Sequence, residues 1–258
     1  MMIGKEFMER LAAAAAAQTL PRFRTAGLTS ENKYETGFDP VTEADREAER
    51  AIRALISEAF PDHGIVGEEF GIENGDSRHL WIVDPIDGTR SFISGMPLWG
   101  TLVGFMEDGD AVAGMMSQPF IGELFFADAD ACFYEGPGGT RQLSVRPTRT
   151  LAEATLCTTA PSLFEGAFRE AYDRLEKQVR LSRYSADCYA YAMLAAGNID
   201  LVVEAGLEPY DIVALVPIVE QAGGVITTWD GRPAEKAGDI VAAATPQLHE
   251  AALKILNA

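Results

Sequence analysis

Trp81-Ile82-Val83-Asp84-Pro85-Ile86-Asp87-Gly88-Thr89-Arg90-Ser91-Phe92 carries an apolar run into two aspartates and then a Gly-Thr step. The run from Leu80 to Val83 is bounded by charge and proline, which predicts a short buried strand. A side chain at a strand end leaves the core yet stays rigidly placed. Pro85 stiffens the exit and removes a backbone donor. Asp84 and Asp87 can then turn toward one point, where the Ile86 carbonyl can join them. Gly67-Glu68-Glu69 stands upstream and Tyr210-Asp211 downstream. Carboxylates gathered from separate elements repel one another unless cations neutralise them, and an all-oxygen set suits a hard ion such as Mg²⁺. A helical turn starting at Gly88 and Thr89 would offer free amides to a phosphate.

Each piece also has a plainer reading. Asp-x-x-Asp-Gly is what a capped turn looks like. Glu68-Glu69 resembles any solvated acidic pair, Asp45 lies on a charged helix, and Asp211 stands where it could cap the helix after it. The metal reading rests on all of them together.

The chain has 258 residues, 47% hydrophobic and 23% charged, enough for a large core of ordinary soluble balance. Its net charge of -18 argues against nucleic acid as a partner, because neutralising phosphates takes clustered Lys and Arg. An anionic substrate would need a local positive centre, which bound cations would supply. No apolar run reaches membrane-spanning length, and the run Ala12 to Ala17 reads as part of a helix rather than a leader, since Glu6 and Glu9 precede it. Cys132, Cys157 and Cys188 are widely spaced and odd in number, which fits reduced thiols and a cytoplasmic location. His63, His79 and His249 lack paired ligand spacing.

Along the chain, Lys5 to Phe23 predicts a helix. A second is capped by Thr42, has Ile52, Leu55, Ile56 and Ala59 at helical spacing, and is stopped by Pro61. Ile65-Val66 is a further short strand. Thr101–Phe105, Ala111–Met116 and Leu124–Phe126, joined by short turns, predict an antiparallel meander. Beyond the polar passage from Arg141 to Glu153, strands and helices alternate. Strands are expected at 155–158, 199–204, 225–227 and 240–243, with helices at 163–175, 187–196, 211–222 (despite Pro217) and 246–256. The expected division is residues 1–145, an α+β half carrying most metal ligands, and 146–258, an α/β half completing the site. Gly136-Pro137-Gly138-Gly139-Thr140 mimics a phosphate loop but lacks its strand-to-helix setting and a following Lys, so it reads as a surface turn.

The order Gly67-Glu68-Glu69, then Trp81 to Thr89, then Tyr210-Asp211 resembles the inositol monophosphatase family of metal-dependent phosphatases. Asp39-Pro40-Val41-Thr42-Glu43-Ala44-Asp45 and Glu220-Gln221-Ala222-Gly223-Gly224-Val225-Ile226 extend the likeness over almost the whole chain. The resemblance implies a layered αβαβα fold (α+β / α/β) with an antiparallel N-terminal sheet and a mixed C-terminal one. It also implies two or three Mg²⁺ ions and a homodimer. Carried over by motif, Glu68, Asp84, the Ile86 carbonyl, Asp87 and Asp211 look like metal ligands. Asp45 looks like a partner of Thr89 and a ligand of a further ion, and Glu69 looks like a support behind the ligands. Asp87, Gly88 and Thr89 would also touch substrate.

Arg90 to Leu102 departs from the Thr-Asn-Phe continuation of the inositol branch and is similar to the histidinol-phosphate phosphatase branch. So are Asp187-Cys188-Tyr189-Ala190-Tyr191 and Val202 to Asp211. Histidinol phosphate carries an amine and an imidazole, with which Asp187 and Glu204 could pair. Asp187 could equally cap the helix it starts. Arg183 would either touch substrate or orient the acidic pocket. The expected reaction is hydrolysis of a small phosphate monoester by in-line attack of water, oriented by Thr89 with Asp45, without a covalent phospho-enzyme. Within the family the other readings are an inositol-1-monophosphatase or a broad sugar-phosphate phosphatase. A non-catalytic metal-binding or interaction protein on the same fold, or a structural Ca²⁺ protein, stands outside enzymology altogether. The latter lacks an Asp-x-Asp-x-Asp-Gly loop.

Overall fold

The computed structural model describes residues 3–26, 28–32 and 40–258. Asp39, at the start of the first matching stretch, lies outside them. The alanine run is helical within α1 (Lys5–Thr19). The short strands β1 (Ser30–Asn32) and β2 (Pro40–Thr42) pair antiparallel and lead into α2 (Glu43–Ala59). Thr42 caps α2: its hydroxyl accepts from the Ala44 amide, and Asp45 reaches back to the Thr42 amide to complete a capping box.

Nine elements follow: β3 (Gly64–Gly67), β4 (Gly71–Glu73), β5 (His79–Asp87), α3 (Thr89–Ile93), β6 (Gly100–Glu107), β7 (Asp110–Gln118), β8 (Glu123–Ala127), β9 (Cys132–Gly136) and β10 (Gly139–Gln142). Their strands form an eight-stranded sheet in the order β10-β9-β8-β7-β6-β5-β3-β4. Every neighbouring pair is antiparallel except β3 with β5. The meander is present, and the glycine-rich stretch at 136–140 is the hairpin between β9 and β10 rather than a phosphate loop.

The remaining elements are β11 (Thr155–Thr158), α4 (Gly166–Glu176), β12 (Leu181–Tyr184), α5 (Asp187–Ala195), β13 (Leu201–Leu207), α6 (Pro209–Ile212), α7 (Leu215–Gln221), β14 (Val225–Thr228), β15 (Gly238–Ala243) and α8 (Pro246–Leu256). They build a five-stranded mixed sheet in the order β12-β11-β13-β15-β14. The single helix expected over 211–222 is two, α6 and α7. Pro217 has no amide to offer the Val213 carbonyl four residues back, and its ring crowds that carbonyl, so the helix breaks there.

Side-chain alternation sets the layers. Val103, Met115 and Phe126 of the first sheet pack against Met8, Leu11, Ile52 and Ile56 of α1 and α2. Their sequence neighbours Leu102, Met116 and Phe125 face the other way, onto α5 and α7, which also receive Cys157, Val202 and Ala242 of the second sheet. Leu156, Val203 and Val241 then face α4 and α8 through Tyr172, Leu175, Leu248 and Ala252. The result is an αβαβα stack. Burying each such side chain contributes about 1.5–3 kcal/mol. No helix among the described residues is long and apolar enough to cross a membrane. The three cysteines are buried free thiols.

Candidate active site

β5 does not end before the aspartates; it runs through them to Asp87. In a regular strand, residues three apart point to opposite faces. The pairing with β6 shifts register between Asp84 and Asp87, and such an irregularity re-aims side chains. One carboxylate oxygen each from Asp84, Asp87 and Asp211 lies within 4.8 Å of the others. Asp84 Oδ1 accepts the Ile86 amide at 2.9 Å, and Thr101 Oγ1 donates to the Pro85 carbonyl at 2.8 Å, which fixes the turn between the two aspartates. Asp211 arrives from the first turn of α6. It is not that helix's N-cap: Glu208 is, and Asp211 Oδ2 accepts the Glu208 amide at 2.8 Å.

Asp84 is 2% exposed. Burial pushes its pKa well above the usual carboxylate range, and the charges of Glu68, Asp87 and Asp211 push further. Burial likewise raises Asp87, with Asp187 and Asp211 adding to it. Asp45 is 1% exposed, and burial carries its pKa to about 6. Asp45 Oδ2 is taken by the Thr42 amide and hydroxyl, while Asp45 Oδ1 is buried with no hydrogen-bond partner. The expected Asp45–Thr89 hydrogen bond is therefore not made. The capping box holds Asp45 to its own helix end, and Thr89 Oγ1 donates to the Ile86 carbonyl at 3.1 Å instead. An all-oxygen cluster of three carboxylates, with Asp84 and Asp87 raised in pKa by burial and then by neighbouring acids, fits divalent cations, as does the buried, unpartnered Asp45 Oδ1 near Glu68.

A cleft of about 270 Å³ opens beside this cluster, lined on one side by Glu68, Asp84, Ile86, Asp87, Gly88, Thr89, Arg90 and Asp211. Thr159, Leu163, Asp187 and Glu204 to Leu207 line the rest. Asp187 opens α5 without any side-chain capping bond, so the capping alternative does not hold. Its φ of 44° is left-handed, an uncommon and strained setting for aspartate. Ser91 Oγ donates to Asp187 Oδ2 at 3.1 Å, and burial raises the Asp187 pKa. Glu204 is 2% exposed, with its pKa raised by burial to about 8. Its oxygens accept from the Thr159 amide at 2.6 Å, the Thr159 hydroxyl at 3.1 Å and the Thr158 hydroxyl at 3.2 Å. Arg183 is exposed on the edge strand β12, opposite Cys157 in register, and is not among the residues lining the cleft.

Sequence reasoning misses Ser91, Thr158 and Thr159, ordinary hydroxyls whose role appears only once the two sheets meet. It also misses Glu49. This fully buried residue accepts the Glu69 amide at 2.7 Å and the Phe70 amide at 3.2 Å. Its only signal is its place one helical turn after Asp45.

Residues 5–258 match the inositol monophosphatase family. A histidinol-phosphatase of Streptomyces coelicolor is 36% identical over 254 residues, covering 96% of this chain and 94% of that protein. The bifunctional phosphatase IMPL2 of Arabidopsis thaliana is 39% identical over 85% of this chain, which spans 66% of that protein's length. A solved inositol monophosphatase from Zymomonas mobilis is 40% identical and superposes with a TM-score of 0.87 over 98% of this chain and 97% of its own. With its fold, its acidic cluster and these relatives, the chain belongs to the inositol monophosphatase family of metal-dependent phosphatases.

Proposed function

We propose that this phosphatase is Mg²⁺-dependent and that its substrate is L-histidinol phosphate, hydrolysed to L-histidinol and phosphate. The observation that carries the metal-dependent reading is the Asp84–Asp87–Asp211 cluster, whose charge Glu68 extends toward the buried Asp45. Glu68, Asp84, the Ile86 carbonyl, Asp87 and Asp211 would hold the ions, two or three in number, with Asp45 as a ligand of a further one. Bound cations supply neutralisation of the phosphoryl oxygens and a more acidic water.

The chain's own residues do the rest. Gly88 and Thr89 border the cleft where the phosphate would lie, and their amides would bind its oxygens. Thr89 Oγ1 would orient the attacking water. Thr89 Oγ1 donates to the Ile86 carbonyl in this structure; were that carbonyl to serve as a metal ligand, the hydroxyl would be free to donate to Asp45 Oδ1, which has no partner here. Water attacks phosphorus in line and gives up a proton toward Asp45, the P–O bond to the alcohol breaks, and the leaving oxygen takes a proton from solvent water. Glu69 supports Glu68 from the neighbouring backbone position.

The choice of alcohol rests on the other wall. Asp187, half-buried, and Glu204, buried, both face the cleft. A polyol needs many hydroxyl partners, whereas an amine and an imidazole need anionic ones. The buried thiols suit a reducing compartment, so the reading extends to a cytoplasmic enzyme, and the family resemblance to a homodimer. Phosphate release with and without Mg²⁺, over histidinol phosphate, inositol 1-phosphate, glycerol phosphate and adenosine phosphates, tests both parts. Dependence on Mg²⁺ with histidinol phosphate preferred is the expected result. A wide preference for inositol phosphate would overturn the assignment of Asp187 and Glu204.

A further inference from the structure

We propose that Glu49 is a positioning residue that sets where the Glu68 carboxylate stands relative to Asp45 and Asp84. The inference rests on the reading of Glu68 as a metal ligand. The turn that carries Glu68 has little packing of its own: Phe70 is 41% and Ile72 is 71% exposed. Polar bonds from α2 hold it instead. Glu49 takes the amides of Glu69 and Phe70, at 2.7 and 3.2 Å. Arg53, one turn further along the helix, donates from Nε to Glu49 Oε1 at 2.8 Å and from its guanidinium to the Gly71 carbonyl.

The buried Glu49 carboxylate is thus matched by one cation and two amides, which is what makes an ionised group tolerable there. Glu68 lies between two anchors. Its own amide is tied to the Val83 carbonyl beside Asp84 at 3.1 Å, and the next amide is tied to Glu49. Asp45 lies one turn before Glu49 on the same helix, so a single turn of α2 spaces Asp45 from Glu68. Gly67 is part of the device. A Cβ built there would fall on Glu49 Oε1, far inside van der Waals contact, so only glycine lets the carboxylate reach the turn. The glycine of Gly67-Glu68-Glu69 and the glutamate of α2 are two sides of one joint.

The test is Mn²⁺ titration of the substrate-free full-length protein by calorimetry. It compares wild type with Glu49→Gln, Glu49→Ala, Gly67→Ala and the Glu49→Ala/Gly67→Ala double variant, alongside the metal dependence of kcat. Glu49→Gln and Gly67→Ala should each raise the Mn²⁺ Kd by about 10-fold or more. For Glu49→Gln, kcat should recover at saturating metal and the metal-free Tm should change little. Because the new methyl and the carboxylate compete for one space, Gly67→Ala should add little in the Glu49→Ala background, where only the flexible end of Arg53, 2.9 Å from that methyl, still has to move. Unchanged Mn²⁺ Kd in both single variants, or losses that add in the double variant, would overturn the role of Glu49. A wild-type protein that binds no Mn²⁺ would overturn the metal reading itself, and this inference with it.

Discussion

The Cys188 amide donates to Asp87 Oδ2 across 2.6 Å. This bond ties the first turn of α5 to the end of β5 and so joins the second sheet's helices to the acidic cluster. Asp187, the residue before Cys188, sits at a left-handed φ of 44° with Ser91 donating to it. One peptide therefore fixes a cluster carboxylate and a cleft-wall carboxylate relative to each other. Consequences for both ends of the substrate follow.

At the cluster, Asp84→Asn keeps the Oδ1 acceptor for the Ile86 amide but removes one of four mutually repelling charges. Mg²⁺-dependent kcat/KM should fall by about 10²-fold or more. The metal-free protein should at the same time become more stable, by roughly 2–4 °C in Tm for each kcal/mol of repulsion relieved. Thermal melts in EDTA and in Mg²⁺ check this. An Asp84→Asn or Asp87→Asn protein with near-normal turnover would sink the ligand assignment.

Glu204 predicts a pH dependence of stability. Its folded pKa is raised from 4.5 to about 8, so between these values the folded state binds a proton that the unfolded state has lost. The stability tied to this proton is fully present below pH 4.5 and is lost as pH rises through about 8. Glu204→Gln keeps the acceptor for the Thr159 amide but cannot titrate. The fall in metal-free Tm between pH 5 and 8 should be flatter in this variant, by an amount on the order of a few kcal/mol at most. Parallel profiles for the two proteins would contradict the assignment.

Gly88 sits at a φ of 82°, and an added Cβ would meet Asp187 Oδ2 at 3.0 Å, the Leu98 carbonyl at 3.2 Å and Trp99 Cα at 3.3 Å. Gly88→Ala should cost about 1–3 kcal/mol in stability. It should also lower kcat/KM by about 10²-fold through displacement of Thr89 and Asp187. Urea unfolding together with steady-state kinetics separates the two effects. A fully active Gly88→Ala variant would mean the backbone there is not held.

Asp187→Asn bears mainly on substrate choice. The cleft wall loses a charge while the Ser91 hydrogen bond survives. Against histidinol phosphate kcat/KM should drop by about 10-fold or more, the loss of one charge-assisted bond. Against glycerol phosphate, which has no cationic group, it should change little. Equal losses on both substrates would assign Asp187 to general structure.

Much of this site is legible in sequence because its acids sit in motifs bounded by apolar runs and glycine. Asp84, Asp87 and Asp211 come together as their motifs suggest, and alternating strands and helices point to a layered mixed sheet, while the αβαβα order comes with the family resemblance. β12 is not legible, because three of its four residues are exposed and an edge strand with a charged, polar face carries no periodic signal. Glu49 is hidden for the opposite reason. Among the charges of α2 it reads as a solvated side chain, and only the fold buries it against Gly67. The motif does not show the capping box that claims one oxygen of Asp45, or the bond that Thr89 makes to the Ile86 carbonyl in this structure. Arg183 is found exposed on β12, because a lone arginine before a helix does not reveal which way its strand pairs.

The central claim is a divalent-cation phosphatase whose second wall is built for a cationic alcohol. It is tested most directly by kcat/KM for L-histidinol phosphate and for inositol 1-phosphate, measured on the same wild-type protein in saturating Mg²⁺ and again in EDTA. Mg²⁺-dependent hydrolysis with histidinol phosphate preferred by about 10²-fold, the worth of two charge-assisted hydrogen bonds, is the expected result. Equal rates in EDTA, or a preference for inositol 1-phosphate, would contradict it.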